Sequence, residues 1–488
     1  MIRFFILSVK GSTSISVIRR FLSEDQRTRF FLRRFSIFLV GFVILTRFIF
    51  DPDLGWHLAI GSRFLENGEI VRGDPFSWTM PGYVFGNYFF LYQILVAFLF
   101  KNLGYLTTTI IFGLIGSFSV MLIVAKKLDF VRLVAVLLGI VMSAINLGLR
   151  THMISFLFFA VLLVLLSREF FLRKWHAFFW FGFFALWANF HQGFFVGVLT
   201  FSAFVAYDFF WQKRNLGKRN LGVRARIMSV VAATLAGFLT PFHGYLWSSI
   251  ADDLLGGKTW TFIAEWKPVA IYLPWNLLYA VSGMIFAYIL FKKFKEVEPV
   301  WFILGTFIFM LPFLAVNFVF YWAAFFIYFA SRHLELKVDL KGYLIKLPII
   351  FASISCGIAL VLAFFIGYLE SLNLEYRLKR DGYPVEAVKF LKDEGLTSGV
   401  FNSYAWGGYI DLFAPEIRVF IDGRMTGWRK TDGGHILSDY VEIVRGNCKV
   451  VSEYDIRVVL MEEDFKNDCF SNFHEVYLHS VAKILVNG

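Results

Sequence analysis

The chain has 488 residues, a formal net charge of +12 and 58% hydrophobic residues, with a mean hydropathy of +0.63. A purely soluble fold is excluded, because apolar stretches of roughly 16–22 residues recur from Phe35 to Leu369, about the length that spans a bilayer as helix. The basic excess belongs to that apolar part, since residues 370–488 carry 14 Lys and Arg against 19 Asp and Glu; this speaks of membrane topology and anionic lipid, and away from nucleic acid.

Residues 1–34 are basic, with Arg3, Lys10, Arg19, Arg20, Arg27, Arg29, Arg33 and Arg34 against Glu24 and Asp25. They lack the apolar core and small-residue cleavage site of a signal peptide, so a cytoplasmic tail and an uncleaved first span are expected. That span, 35–50, delivers Asp51-Pro52-Asp53 to the far side. The apolar stretch Tyr88 to Phe100 then decides the orientation of everything downstream. Counted as a span, it sends Lys126, Lys127, Arg132 and the run Lys213, Arg214, Lys218, Arg219, Arg224, Arg226 outside. Counted as an interfacial or re-entrant segment, it leaves every basic cluster inside. The stretch is short for a hydrocarbon core of about 30 Å, which selects the second reading.

Further spans are expected at 104–125, 131–149, 153–168, 175–190, 193–211, 226–247, 274–292, 299–315, 317–331 and 347–369, making about 11 in all. The membrane part is thus 35–369, with a first external loop 51–103. Residues 370–488 read as a soluble, extracytoplasmic α/β domain joined through a linker holding Arg377, Lys379, Arg380 and Asp381. Helices are expected over Pro384 to Lys392 and Gly434 to Arg445. Short strands are expected at Val400-Phe401, Val419-Phe420-Ile421, Val458-Val459-Leu460 and Ala482 to Val486. Cys448 and Cys469 share this domain and can pair if it is exported, although sequence gives no distance between them. Cys356 reads as a packing residue within a span.

This topology gathers Asp51, Asp53, His57, Arg150, His152, His191, His243 and Glu265 near the outer face. Pro52 stiffens the spacing of its two flanking carboxylates, a pair able to hold a divalent cation such as Mg or Mn or to deprotonate a hydroxyl. The competing reading of Asp53 is an N-cap for an amphipathic helix carrying Leu54, Leu58 and Leu65. His57 is a candidate ligand or base. Arg150 either holds a phosphate through bidentate hydrogen bonds or snorkels at the boundary. Asn189, His191 and Gln192 form a polar cluster between apolar spans, where polar groups are costly and mark pathways or satisfied turns. His243, after Pro241, reads as structural, and Glu265 as an aid to metal binding. In the C-terminal domain, Trp406-Gly407-Gly408-Tyr409 reads as a tight turn beneath a helix. Asp422 and Arg424 read either as a loop site for substrate or as a solvated bridge. No phosphate-binding G-x-x-x-x-G-K-[ST] loop, dinucleotide G-x-G-x-x-G or zinc H-E-x-x-H motif is present.

Asp51-Pro-Asp-Leu-Gly-Trp-His-Leu-Ala-Ile-Gly61 and Asp74-Pro-Phe-Ser-Trp-Thr79 resemble the first external loop of a poorly characterised set of bacterial GT-C-like membrane glycosyltransferases. Trp187-Ala-Asn-Phe-His-Gln-Gly193, Tyr383-Pro-Val-Glu-Ala-Val388, Val400-Phe-Asn-Ser-Tyr-Ala-Trp-Gly-Gly-Tyr409 and Val419-Phe-Ile-Asp-Gly-Arg424 resemble later blocks, so the likeness covers most of the chain in order. The wider class includes protein O-mannosyltransferases and oligosaccharyltransferases. The resemblance implies a polyprenyl-phosphate-linked sugar donor and an essential acidic residue in the first external loop, a role that falls to Asp51 and Asp53. Two departures stand out. Relatives often show His-Glu-Trp where this chain has Gly86-Asn87-Tyr88-Phe89, and an arginine near Asn317-Phe318.

The leading expectation is a multi-pass inner-membrane enzyme. It transfers a sugar from a polyprenyl phosphate to an acceptor of unknown identity at the outer face, with Asp53 or Asp51 as base. The alternative is a transporter or flippase of lipid-linked or envelope precursors, whose path the same polar residues would line.

Overall fold

The structure, a computed structural model, describes residues 33–87, 89–168, 176–211, 223–255, 262–269, 275–336 and 343–488, with the side chains of 176, 253–255, 275 and 343–356 excepted. The expectations placed on the basic tail 1–32, on Tyr88, on the run Lys213 to Arg219 and on the Cys356 side chain lie outside these residues.

Helix α1 (33–45) leads to the first loop. There α2 (Leu54–Asn67) packs on the first half of α3 (Phe90–Ile123). The expected stretch Tyr88–Phe100 and the expected span 104–125 are therefore parts of one helical element. It is broken at Gly104, whose φ of 75° and ψ of 173° lie outside helical space. A residue with a side chain resists that backbone, so glycine sets the position of the break.

Apolar helices follow: α4 (Phe130–Ser143), α5 (Thr151–Ser167), α6 (His176–Phe190), α7 (Phe194–Trp211) and α8 (Val223–Leu235). After α9 (Tyr245–Leu255) come α10 (Trp275–Lys293), α11 (Pro299–Met310), α12 (Val319–His333) and α13 (Tyr343–Glu370). The expected span 226–247 is corrected: α8 stops at Leu235, a 3₁₀ turn covers Ala236–Phe238, and Pro241 precedes a separate α9. Proline lacks the backbone N–H that a continuous helix needs. Helix α12 is the hub. Val319 through Ser331 are all buried, as befits a helix that is apolar all round, and α4, α5, α10 and α11 surround it.

Among the described residues, α3 and α7 are long and apolar enough to cross a membrane by length and composition. The bent pair formed by the end of α13 and α14 (Leu374–Arg380) is a third candidate, and α4, α5, α6 and α11 are shorter apolar helices. One end of this helical body is tied by basic side chains. Arg33 donates to Leu128 O (2.9 Å), Arg132 to Leu334 O (2.8 Å), and Lys293 pairs with Glu335 (2.8 Å). The opposite end carries Asp51 and Arg150.

The C-terminal part contains α14, α15 (Val385–Asp393), α16 (Gly407–Phe413), α17 (Ile436–Val444) and α18 (Cys448–Val451). Its four-stranded sheet comprises β1 (Val400–Asn402), β2 (Val458–Glu462), β3 (Phe473–Leu478) and β4 (Ala482–Asn487) in the order β1-β2-β4-β3. The β1–β2 pairing is parallel and the other two are antiparallel. Cys448 and Cys469 form a disulfide with Cα atoms 5.1 Å apart, within bridging range.

Three expectations change here. The linker contains a helix, α14. The Trp406-Gly407-Gly408-Tyr409 turn opens a helix, α16. Val419-Phe420-Ile421 is fully buried but is no strand of the sheet. Its backbone pairs with the first loop instead: Val419 N–H donates to Phe76 O, and Val419 O accepts from Trp78 N–H, both at 3.1 Å. The Asn402 side chain satisfies the rest, accepting from Phe420 N–H (2.8 Å) and donating to Ile421 O (2.9 Å). The segment that looked like an inner strand is thus the seam between the loop and the C-terminal part.

Candidate active site where the first loop, the helix ends and the C-terminal part meet

The chain leaving α1 is clasped before it reaches the aspartates. Phe50 N–H donates to Asp381 (2.8 Å), and Tyr383 OH donates to Phe50 O (2.9 Å). Arg377 holds Asp381 and Glu370 in place. Asp51 Oδ1 then accepts from Asp53 N–H (3.0 Å), forming a local turn that fixes the carboxylate spacing.

Asp53 occupies the N-cap position of α2, yet its side chain makes no capping hydrogen bond. It accepts instead from Trp56 Nε1 (3.0 Å) and faces a cavity of about 290 Å³. Asp53 does start the helix, as its place before an amphipathic run suggests, but its carboxylate is turned away from capping. Gly423 explains part of this. A Cβ there would lie 1.9 Å from Asp53 Oδ1, so glycine leaves the carboxylate its place where a larger residue would displace it. The same tight seam brings Gly408 against Pro52 and Gly55. Asp-Gly-Arg and Trp-Gly-Gly-Tyr are therefore surfaces shaped to meet the first loop.

Arg150 lies between two carboxylates. Its Nε is 2.5 Å from Asp51 Oδ2, and its Nη2 is 2.5 Å from Glu265 Oε1. It is neither snorkelling nor idle: it is the positive centre of an acidic cluster. Glu265 therefore positions an arginine, where sequence gave it only a metal-binding role. A narrow recess bounded by Asp51, Asp53, Tyr92, Arg150 and His152 lies beside the main cavity.

His57, His152 and His191 also line the main cavity. His57 meets Gln93 Nε2 at 3.4 Å, and Gln93 is paired reciprocally with Asn87 (2.6 and 2.8 Å). His191 Nδ1 is 2.7 Å from Ser155 Oγ, which also accepts from Trp187 Nε1 (2.7 Å). Burial holds the His57 and His191 imidazoles well below their usual pKa, so both are neutral hydrogen-bonding groups. Asn317 lines the same cavity and accepts from Asn146 (3.1 Å). His243 stands apart, in an open cleft with Arg72.

The C-terminal wall of the cavity is formed by Tyr404, Gly423, Arg424, Thr426, Gly427 and Trp428. Asp422 and Arg424 are not a solvated bridge. Arg424 Nε and Nη2 pair with Asp422 (2.9 and 2.5 Å), and Nη2 also pairs with Asp74 of the first loop (2.8 Å), with almost no solvent exposure. Phe76, Phe85 and Trp428 surround the guanidinium at 4.9–5.4 Å. The seam between loop and C-terminal part is thus locked by a buried arginine, which sequence could not pair with Asp74 across some 350 residues.

The two-aspartate metal seat does not fit this geometry. Both Asp51 oxygens are engaged, by Arg150 and by the Asp53 amide, and one Asp53 oxygen accepts from Trp56. Among the described residues no group of three His, Cys, Asp or Glu side chains is arranged to hold a metal ion.

No family model matches the chain, and no curated protein matches it either. Solved structures do. The archaeal oligosaccharyltransferase AglB from Archaeoglobus fulgidus, in complex with an inhibitory peptide and a dolichol-phosphate, aligns with a TM-score of 0.52 at 10% identity, over 93% of this chain and 74% of that one. The apo crystal structure of the Archaeoglobus fulgidus oligosaccharyltransferase aligns with a TM-score of 0.50 at 10% identity, over 88% and 70%. Across nearly its whole length, helices and C-terminal part together, this chain is similar in fold to an oligosaccharyltransferase, the GT-C-like architecture its loop and domain motifs led us to expect.

Proposed function

We propose that this protein is a GT-C-type glycosyltransferase that moves a sugar from a polyprenyl-phosphate donor to an acceptor hydroxyl at the outer face of the inner membrane. One observation carries the reading. Asp53, just beyond the first apolar helix, is held out of its capping role and presented to a cavity shared by the loop, the helix ends and the C-terminal part. The fold likeness supports it, since the similar archaeal enzyme was captured with a lipid-linked phosphate.

In the reaction, Asp53 takes the proton of the acceptor hydroxyl. The oxygen attacks the anomeric carbon from the face opposite the phosphate, and the carbon–oxygen bond to phosphate breaks with its electron pair passing to the phosphate. Configuration inverts. The leaving phosphate needs charge stabilisation more than protonation, and the Arg150 guanidinium supplies it. Asp51 and Glu265 hold that guanidinium in place.

About 11 spans, a cytoplasmic N-terminus and an extracytoplasmic C-terminal domain complete the proposal. The tying of Arg33, Arg132 and Lys293 at one end of the helical body, opposite Asp51 and Arg150, supports this orientation. Cysteine labelling in intact cells should find position 127 protected and position 430 reactive. A protected position 430 would overturn the arrangement, because the site would then face the cytoplasm.

Mass spectrometry of glycolipids and glycans from a deletion strain tests the function. Loss of one sugar from an envelope glycan, with its lipid-linked donor accumulating, is the expected result. Unchanged glycans, or a precursor trapped on the inner face, would overturn transfer, the latter in favour of transport.

A further inference from the structure

We propose that Arg150 is the resident cation of this site, and that the site therefore operates without a divalent metal ion. The inference deepens the transfer reading and rests on it. Its basis is a set of committed oxygens. Asp51 Oδ2 and Glu265 Oε1 each lie 2.5 Å from a different nitrogen of Arg150. Asp51 Oδ1 is bound to the Asp53 amide, and Asp53 Oδ1 to the Trp56 indole. A small hard cation needs about six oxygen ligands close around it and binds through free carboxylates. Here the carboxylates best placed to serve it already surround a guanidinium.

The guanidinium is itself well fixed. Arg150 and Asp51 side chains are 17% and 15% exposed, so their mutual attraction is only partly screened by water. A second cation reinforces the exclusion. Arg47 donates to Ala144 O and Ile145 O (2.8 and 3.1 Å) and passes beside Gly148, within the turn that delivers Arg150. Its positive charge also acts on Asp51 and Arg150. A divalent ion entering between Asp51 and Asp53 would have to displace one arginine while facing both.

What a metal would do for a departing phosphate, the arginine can do in another form. It offers a permanent positive charge and planar N–H donors matched to phosphate oxygens. The three acidic side chains then act as a cradle: two orient the guanidinium, and the third remains for the acceptor proton.

The test reads ion binding, so it remains informative even if no sugar transfer is found. Full-length protein in detergent is mixed with Mn²⁺, with and without polyprenyl monophosphate, and the free-ion signal is followed by electron paramagnetic resonance. Wild-type protein should leave that signal at full amplitude in both cases. Arg150→Ala, which frees Asp51 and Glu265, should gain binding of about one ion per chain, a carboxylate-rich site of this kind favouring such cations. If Arg150→Ala is not monodisperse, Arg150→Gln serves in its place. Binding by wild-type protein that Asp51→Asn abolishes would overturn the proposal. So would a well-folded arginine variant that binds no ion, because Arg150 would then not be what excludes the metal.

Discussion

Asp53→Asn should remain monodisperse in detergent and lose about 100-fold or more of its transfer activity, the usual scale for removal of a general base. The substitution keeps the size of the side chain and an oxygen for the Trp56 indole, which is the only hydrogen bond the Asp53 carboxylate makes among the described residues. It removes the negative charge and, with it, the ability to take a proton. Burial, together with the negative charge of Asp51 and against the pull of Arg150, raises the Asp53 carboxyl to about 7. A base acts only when deprotonated, so wild-type activity should rise with pH through about 7 and level off above it. The residual activity of the variant should lack that rise. The stability consequence has the opposite sense. With its folded pKa above the unfolded one, Asp53 disfavours the folded state increasingly as pH climbs from the unfolded value through about 7. Asp53→Asn should therefore unfold no earlier than wild type at neutral pH. A variant with wild-type transfer would move the role to Asp51; one that aggregates would make Asp53 structural.

Arg424→Met should be the most destabilising single change in the C-terminal part, by about 3–5 kcal/mol, the range for stripping one partner from a buried ion pair. Methionine fills much of the space between Phe76, Phe85 and Trp428, so packing alone predicts a mild effect. Charge predicts a severe one. Asp74 and Asp422 would be left facing each other's surroundings without solvent, and Asp411 adds to the burden. Asp411 is buried with neither oxygen hydrogen-bonded among the described residues, and burial together with the nearby Asp422 charge pushes its carboxyl well above its usual pKa. Heating in detergent, followed by size-exclusion chromatography and limited proteolysis, should show early loss of monodisperse protein and cleavage near the Asp74 turn. Arg424→Lys, which keeps the charge without the two-pronged geometry, should fall between the two. A methionine variant as heat-stable as wild type would mean that backbone pairing and packing, rather than the buried charge, hold the loop and C-terminal part together.

Much that depends on local pattern was legible in the sequence. Hydropathy located the apolar helices because each must satisfy its own backbone and can do so within one segment. Alternation and turn residues located β1, β2 and β4, and the helices near 385 and 436. The start of α2 after Asp53 was visible because the aspartate precedes an amphipathic run. The structure brings Asp51, Asp53, His57, Arg150 and His191 to one end of the helical body, as their positions beside apolar runs led one to expect, whereas His243 stands apart. Where a proline and a 3₁₀ turn divided an apolar run, as at 226–247, hydrophobicity hid a boundary that backbone hydrogen bonding imposes.

Tertiary structure alone decided which charges pair and which backbone edges meet. Arg150 sits between Asp51 and Glu265, and Arg424, beside its neighbour Asp422, also reaches Asp74; the pairs to Asp51, Glu265 and Asp74 are contacts across about 100 to 350 residues. No local signal encodes such pairs, because each partner taken singly looks like an ordinary boundary or surface charge. Val419-Phe420-Ile421 has strand composition, but its hydrogen bonds go to Phe76, Trp78 and the Asn402 side chain. Its role as a seam exists only once the first loop is folded against it. Gly423 makes the same point at the site itself. In the sequence it is a turn glycine beside Asp422; in three dimensions its missing Cβ makes room for the Asp53 carboxylate and lets the C-terminal part close the cavity. Composition and period fixed the elements because those depend on neighbours along the chain, whereas the site depends on excluded volume and charge between elements that meet only on folding.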